Sequence, residues 1–183
     1  MVSLVCSPNL TFGLALDAIL GDLLDALLNS IDQKTRSLKS SKGQSSSIAP
    51  IFLQNNIAYI RQEIASSTIG DFVGESAENE LNKWNRTAKT SYLELFSPIV
   101  SCLMDGAWPA GASQAGRDRF AKFNDALSDV EAIHRTAKLN AAEEETRERL
   151  RQEVEKMILP VSIYLTRFIG LPLMVFNRAM ESF

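Results

Sequence analysis
The chain has 183 residues, of which 45% are apolar and 22% charged, and its formal net charge is −3. That length fits one globular domain, able to bury about 70% of its unfolded surface without metals or disulfides. The acidic balance excludes a broadly basic nucleic-acid-binding face, so no nucleic acid is expected as a partner, and a lone histidine excludes multi-histidine metal sites.

The first 31 residues are rich in apolar side chains, yet no Lys or Arg precedes Lys34, so a secretory leader is not expected. Asp17, Asp22 and Asp25 interrupt the same run and argue against a membrane span. Leu16, Leu20, Leu23, Leu27 and Ile31 recur at helical spacing and predict one buried face on a helix over residues 11–40. Residues 40–47, with five serines and a glycine, predict a loop, and Ser47 before Pro50 predicts the next helix start. Leu53, Ile57, Ile60 and Ile64 form that helix's stripe. Within it, one of Asn55 and Asn56 should face inward and bond a neighbouring helix or loop, because adjacent amides are unfavourable in a helix unless paired.

A loop over residues 67–74 should lead into a third helix marked by Leu81, Trp84, Ala88, Tyr92, Leu95 and Ile99, broken near Ser97 by Pro98. Residues 105–116 are rich in Gly, Ala and Pro and form the clearest break in the chain. Phe120, Phe123, Leu127, Val130, His134 and Ala137 trace a fourth helix. Asn140 with Glu143 three residues on reads as a capping box for a fifth, carrying Leu150, Val154, Met157, Val161, Tyr164 and Phe168 with a kink at Pro160. No segment alternates as a strand. The reading is all-α: an antiparallel bundle of about five helices in a single domain over residues 1–183. Leu20, Leu27, Leu53, Ile60, Trp84, Phe120, Phe123 and Val154 are its expected core.

Little in the sequence points to catalysis. No nucleophile elbow, phosphate loop or dinucleotide fingerprint occurs, and no cofactor or metal is expected. His134 lies on an apolar stripe and reads as a half-buried core histidine. The run Glu143–Glu145 followed by Arg147, Arg149 and Arg151 reads as a solvated, self-paired helix face. Cys6 and Cys102, in no metal-type spacing, fit reduced thiols, with one long-range bridge also open. Two basic clusters stand out. Lys34, Arg36, Lys39 and Lys42 end the first helix; Arg117, Arg119 and Lys122 open the fourth and surround Phe120 and Phe123. Each is explained either as ordinary helix polarity or as an anion-binding patch.

Several segments in order resemble one family. Residues 51–60, with Phe52-Leu53-Gln54-Asn55-Asn56 and Tyr59-Ile60, resemble the FLxNNxxYI helix of the seventy-kilodalton subunit of the exocyst complex. Asn29 to Lys34 with Leu38, then Trp84, Ser91-Tyr92-Leu93, Arg119-Phe120-Ala121-Lys122-Phe123-Asn124, Leu150-Arg151 and Arg167-Phe168 follow in the family's order. The resemblance covers residues 14–168 and only the family's C-terminal helical part, which implies a truncated or divergent copy. It implies a fold that is part of a rod of stacked bundles and a non-catalytic role tethering secretory vesicles to the plasma membrane. It implies partners: other exocyst subunits, a Rho-type GTPase and phosphatidylinositol 4,5-bisphosphate. The lipid contacts carried over are Arg117, Arg119 and Lys122, with Lys34, Arg36, Lys39 and Lys42 as a secondary patch. The implied location is cytoplasmic, peripheral at plasma-membrane sites of exocytosis, the bud and bud neck or growing tip in a fungus. Where the family continues with a Lys-rich stretch, the tail over residues 169–183 diverges and holds only Arg178, which implies weaker lipid binding. A stand-alone peripheral lipid-binding helical module is the alternative.

Overall fold
A computed structural model describes residues 8–41, 44–104, 114–140 and 144–169. Among the described residues the regular elements are all helical, as the periodicity predicts. They are α1 (Pro8–Ser40), α2 (Gln44–Ser66), α3 (Glu75–Leu93), α4 (Ser97–Met104), α5 (Gln114–Thr136) and α6 (Glu144–Ile169). Short 3₁₀ turns span Thr68–Phe72 and Glu94–Phe96.

The expected third helix is thus divided in two. Pro98 has no N–H for the carbonyl of Glu94, and its ring crowds that carbonyl. The α-helical pattern therefore yields after Leu93, earlier than the expected break near Ser97, and a tighter turn carries the chain into α4. The expected loop over residues 67–74 likewise contains the Thr68–Phe72 turn. Gly70 lies so close to α2 that a Cβ there would sit 2.6 Å from the Ile64 carbonyl oxygen. The serine-rich loop is shorter than its composition suggests, because α2 already begins at Gln44 and holds Pro50 inside it.

Two apolar clusters form the core, and α2 and α3 contribute to both. Leu24, Leu28 and Ile31 of α1 meet Leu53, Ile57 and Ile60 of α2 and Leu81 and Ala88 of α3. Ile51, Tyr92, Phe96 and Ile99 meet Phe123, Leu127 and Val130 of α5 and Leu150, Val154 and Ile158 of α6 in the second. Leu53, Ile60, Phe123 and Val154 are buried as expected, while Leu20, Trp84 and Phe120 are half-buried.

Leu27 corrects the predicted face of α1. It is 45% exposed and Leu23 is 64% exposed, whereas Leu28 is 1% exposed. Leucines occur at positions 20, 23, 24, 27 and 28, so helical spacing admits two faces. The face that packs continues through Ile31 to Thr35, whose buried hydroxyl donates to the Ile31 carbonyl at 2.8 Å. Asp17 adds a polar fastening: its carboxylate accepts the Gly74 N–H at 2.8 Å, tying α1 to the start of α3. Residues 141–143 of the expected capping box, the side chains of Val161, Tyr164 and Phe168, and Cys6 lie outside the described residues.

Candidate functional site
His134 belongs to the core. It is 2% exposed, and both ring nitrogens are engaged. Nδ1–H donates to the Val130 carbonyl at 2.8 Å, so Nε2 is the acceptor for the Tyr92 hydroxyl at 3.0 Å. Phe96 and Tyr92 pack on the ring, their centroids 6.1 and 5.8 Å away. Burial pushes the imidazole below its ordinary pKa, partly opposed by the Val130 bond, and burial pushes the Tyr92 hydroxyl up. A neutral, doubly bonded imidazole in an aromatic wall positions α5 against α3. Among the described residues no group of His, Cys, Asp and Glu gathers to hold a metal ion.

Of the two adjacent asparagines, Asn55 is the one that reaches across. Its Nδ2 donates to the Lys138 carbonyl and its Oδ1 accepts the Asn140 N–H, each at 2.9 Å. Helix α2 thereby holds the chain between α5 and α6. Asn56 donates to the Phe52 carbonyl of its own helix at 2.7 Å. Beside them Gln54 is 2% exposed, and its Oε1 has no hydrogen-bond partner among the described residues. Sequence reasoning missed it; a third amide beside the asparagine pair was the available signal.

The basic residues are arranged less compactly than their spacing suggests. Arg117 and Lys122 are exposed on α5 and Arg119 is half-buried. At 3.6 residues per turn Arg117 and Arg119 point about 160° apart, while Arg119 and Lys122 lie about 60° apart. The exposed Asp118 intervenes and accepts from Gln114 at 2.8 Å. In the other cluster Lys34 is exposed, Arg36 pairs with Asp32 at 2.7 Å, and Lys39 donates to the buried Ser91 at 3.5 Å. Lys42 lies outside the described residues. The face of α6 is self-paired as expected, with Arg147 on Glu144, Arg149 on Glu145 and Arg151 on Glu148.

Two large grooves lie among the described residues. One of about 920 Å³ runs between α2, α3 and the start of α6 and is lined by mixed charges and amides, among them Arg61, Asn82, Asn85 and Lys89. Another of about 850 Å³ lies between α4 and α5, with Ile48 of α2 also lining it. Its lining is mostly apolar, and the exposed Glu94, Lys122, Asp125 and Asp129 stand at its lip. Sequence reasoning missed these acids, because Asp125 and Asp129 flank the α5 stripe as an ordinary polar margin and Glu94 lies far away in sequence, in the turn before α4. No helix among the described residues is long and apolar enough to cross a membrane.

Compared with known proteins, residues 12–166 match the family model for the C-terminal part of the Exo70 subunit of the exocyst complex. The chain is 22% identical over 161 residues to the exocyst complex protein EXO70 of Gibberella zeae, covering 76% of this chain and 24% of that one. It is 26% identical over 161 residues to the exocyst complex component EXO70A1 of Arabidopsis thaliana, covering 80% of this chain and 24% of that one. The aligned part thus spans about a quarter of the length of these relatives.

Proposed function
The chain belongs to the family defined by the C-terminal part of the Exo70 exocyst protein, and on that premise we propose that it acts in exocytosis as a non-catalytic exocyst subunit or part of one. The observation that carries this reading is the family match over residues 12–166, which takes in most of α1 and all of α2 to α5. The role of His134 as a core residue with both nitrogens committed supports a scaffold over an enzyme.

In this reading the bundle tethers secretory vesicles at the plasma membrane through other exocyst subunits, a Rho-type GTPase and headgroups of phosphatidylinositol 4,5-bisphosphate. It works from the cytoplasmic side at sites of exocytosis, the bud, bud neck or growing tip in a fungus. The headgroup contact falls on Arg117, Arg119 and Lys122 at the start of α5. Their charges there add to the unpaired N–H groups of a helix N-terminus, which favour phosphate oxygens. The second cluster is secondary in this reading, because the family resemblance points to the α5 residues.

The test has two arms. Tagged chain should co-purify with other exocyst subunits from an extract that contains them; recovery of none would overturn the exocyst assignment. Vesicles containing the phosphoinositide should sediment the chain at low salt. Replacing Arg117, Arg119 and Lys122 with Glu should abolish that binding. Replacing Lys34, Arg36, Lys39 and Lys42 should matter less, and the reverse order would move the lipid site to α1.

A further inference from the structure
We propose that the trough between α4 and α5 is the docking site for a basic amphipathic helix of a protein partner. The shape supplies the first argument. Leu95, Pro98 and Cys102 follow one another at spacings of three and four along one wall, and Ala126 and Ile133 stand seven apart on the other. Val130, 2% exposed, forms the floor. Two helical walls with that repeat accept the i, i+3, i+4, i+7 anchors of a third helix by ridge-and-groove packing. No sheet edge exists among the described residues to pair with an extended peptide. The volume of about 850 Å³ is of the size that encloses several side chains.

Charge supplies the second argument and selects the occupant. Glu94 on one side and Asp125 and Asp129 on the other are exposed at the lip, and none forms an ion pair among the described residues. Lys122 is the only base among the described residues that line the trough. Three carboxylates against one ammonium disfavour an anionic surface and favour a helix whose apolar stripe is bordered by Lys or Arg.

The probe is a fluorescent synthetic amphipathic helix of Leu and Lys, titrated into the full chain and read by anisotropy. Controls are the same peptide scrambled and a version with Glu for Lys. Modification of Cys102 by a maleimide, resolved from Cys6 by mass spectrometry, reports occupation of the trough directly. The Leu/Lys peptide should bind saturably and slow Cys102 modification. The double variant Asp125→Lys/Asp129→Lys, altered only at exposed positions, should keep its helical circular dichroism and lose at least about tenfold in affinity. The same variant should gain affinity for the Glu peptide. Equal binding by the double variant, equal binding of the scrambled peptide, or unchanged Cys102 modification overturns the proposal. Self-association that shields Cys102 without peptide assigns the trough to a second copy and overturns it as well.

Discussion

Lowering the pH should destabilise this domain through His134, its single histidine. In the folded state the imidazole is buried and neutral, its Nε2 accepting from Tyr92. Protonation would put a second N–H against the Tyr92 hydroxyl and bury a charge in an aromatic wall. The folded pKa is therefore below the ordinary value of about 6.5 that the unfolded chain shows. Between the two values the unfolded state binds more protons. The histidine's contribution is complete above the unfolded pKa and is lost as pH falls below it, until the folded pKa is reached. From pH 7.5 to 5.5 one such group can remove at most about 1.4 kcal/mol, since the fraction of unfolded histidine protonated rises across about 6.5. Urea unfolding at constant ionic strength over that range measures the slope. In His134→Gln the slope should flatten, because Gln does not titrate. Stability that is level or rising as pH falls, or a slope that persists in His134→Gln, would refute the reasoning.

Asn55→Leu should lower unfolding free energy by about 1–3 kcal/mol, because the Lys138 carbonyl and Asn140 N–H both lose a partner; Asn56→Leu, losing one bond within its own helix, should cost less, and urea titrations of the pair decide. Gln54→Met should stabilise by about 1 kcal/mol by removing an acceptor that is buried without a partner, a shift visible as a raised melting temperature. Leu28→Ala should cost about 2–5 kcal/mol and Leu27→Ala under about 1 kcal/mol, and equal costs would mean that α1 packs by its other face. Phe123→Ala should cost about 3–5 kcal/mol, since the ring is buried in the second cluster and stacks on Phe120 at 6.4 Å.

The parts of the fold readable from sequence are those where only one face of a helix is apolar. On α5 the stripe Phe123, Leu127, Val130 and His134 is buried throughout, because charged residues fill the opposite side and leave no other choice. On α1 the leucines at 23, 24, 27 and 28 satisfy two stripes equally, and only contact with Leu53 and Ile57 of α2 selects one. The break at Pro98 was legible, but its position depends on which carbonyl the ring displaces, and that falls at Glu94. The Asn55 clamp was half legible: the amide pair announced a partner, while the partner proved to be backbone 83 residues away at Lys138. The acidic lip was not legible at all. Asp125 and Asp129 acquire a common purpose with Glu94 only when α4 and α5 are placed side by side.

The charges along α5 bear on both proposed contacts. From Arg117 to Lys122 the bases Arg117, Arg119 and Lys122 outweigh Asp118, a local balance of +2, whereas a little further on stand the acids Asp125, Asp129 and Glu131, the last of them paired with Arg135 at 3.2 Å. The centres of the two groups are about 13 Å apart along the axis at ~1.5 Å per residue. That exceeds the Debye length of about 8 Å at physiological ionic strength, so the outer members of the two groups are screened from each other there, while Lys122 and Asp125, three residues apart, remain neighbours. At low salt the screening length reaches across both, and the acids oppose adsorption of the bases to an anionic membrane. In the proposed membrane contact the headgroups meet the first turns of α5, where Lys122 also lines the trough and shares a helix face with Asp125 and Asp129. A basic partner helix lying in that trough would neutralise the acids that repel the membrane at low salt, while Lys122, which borders both proposed contacts, is where the two meet.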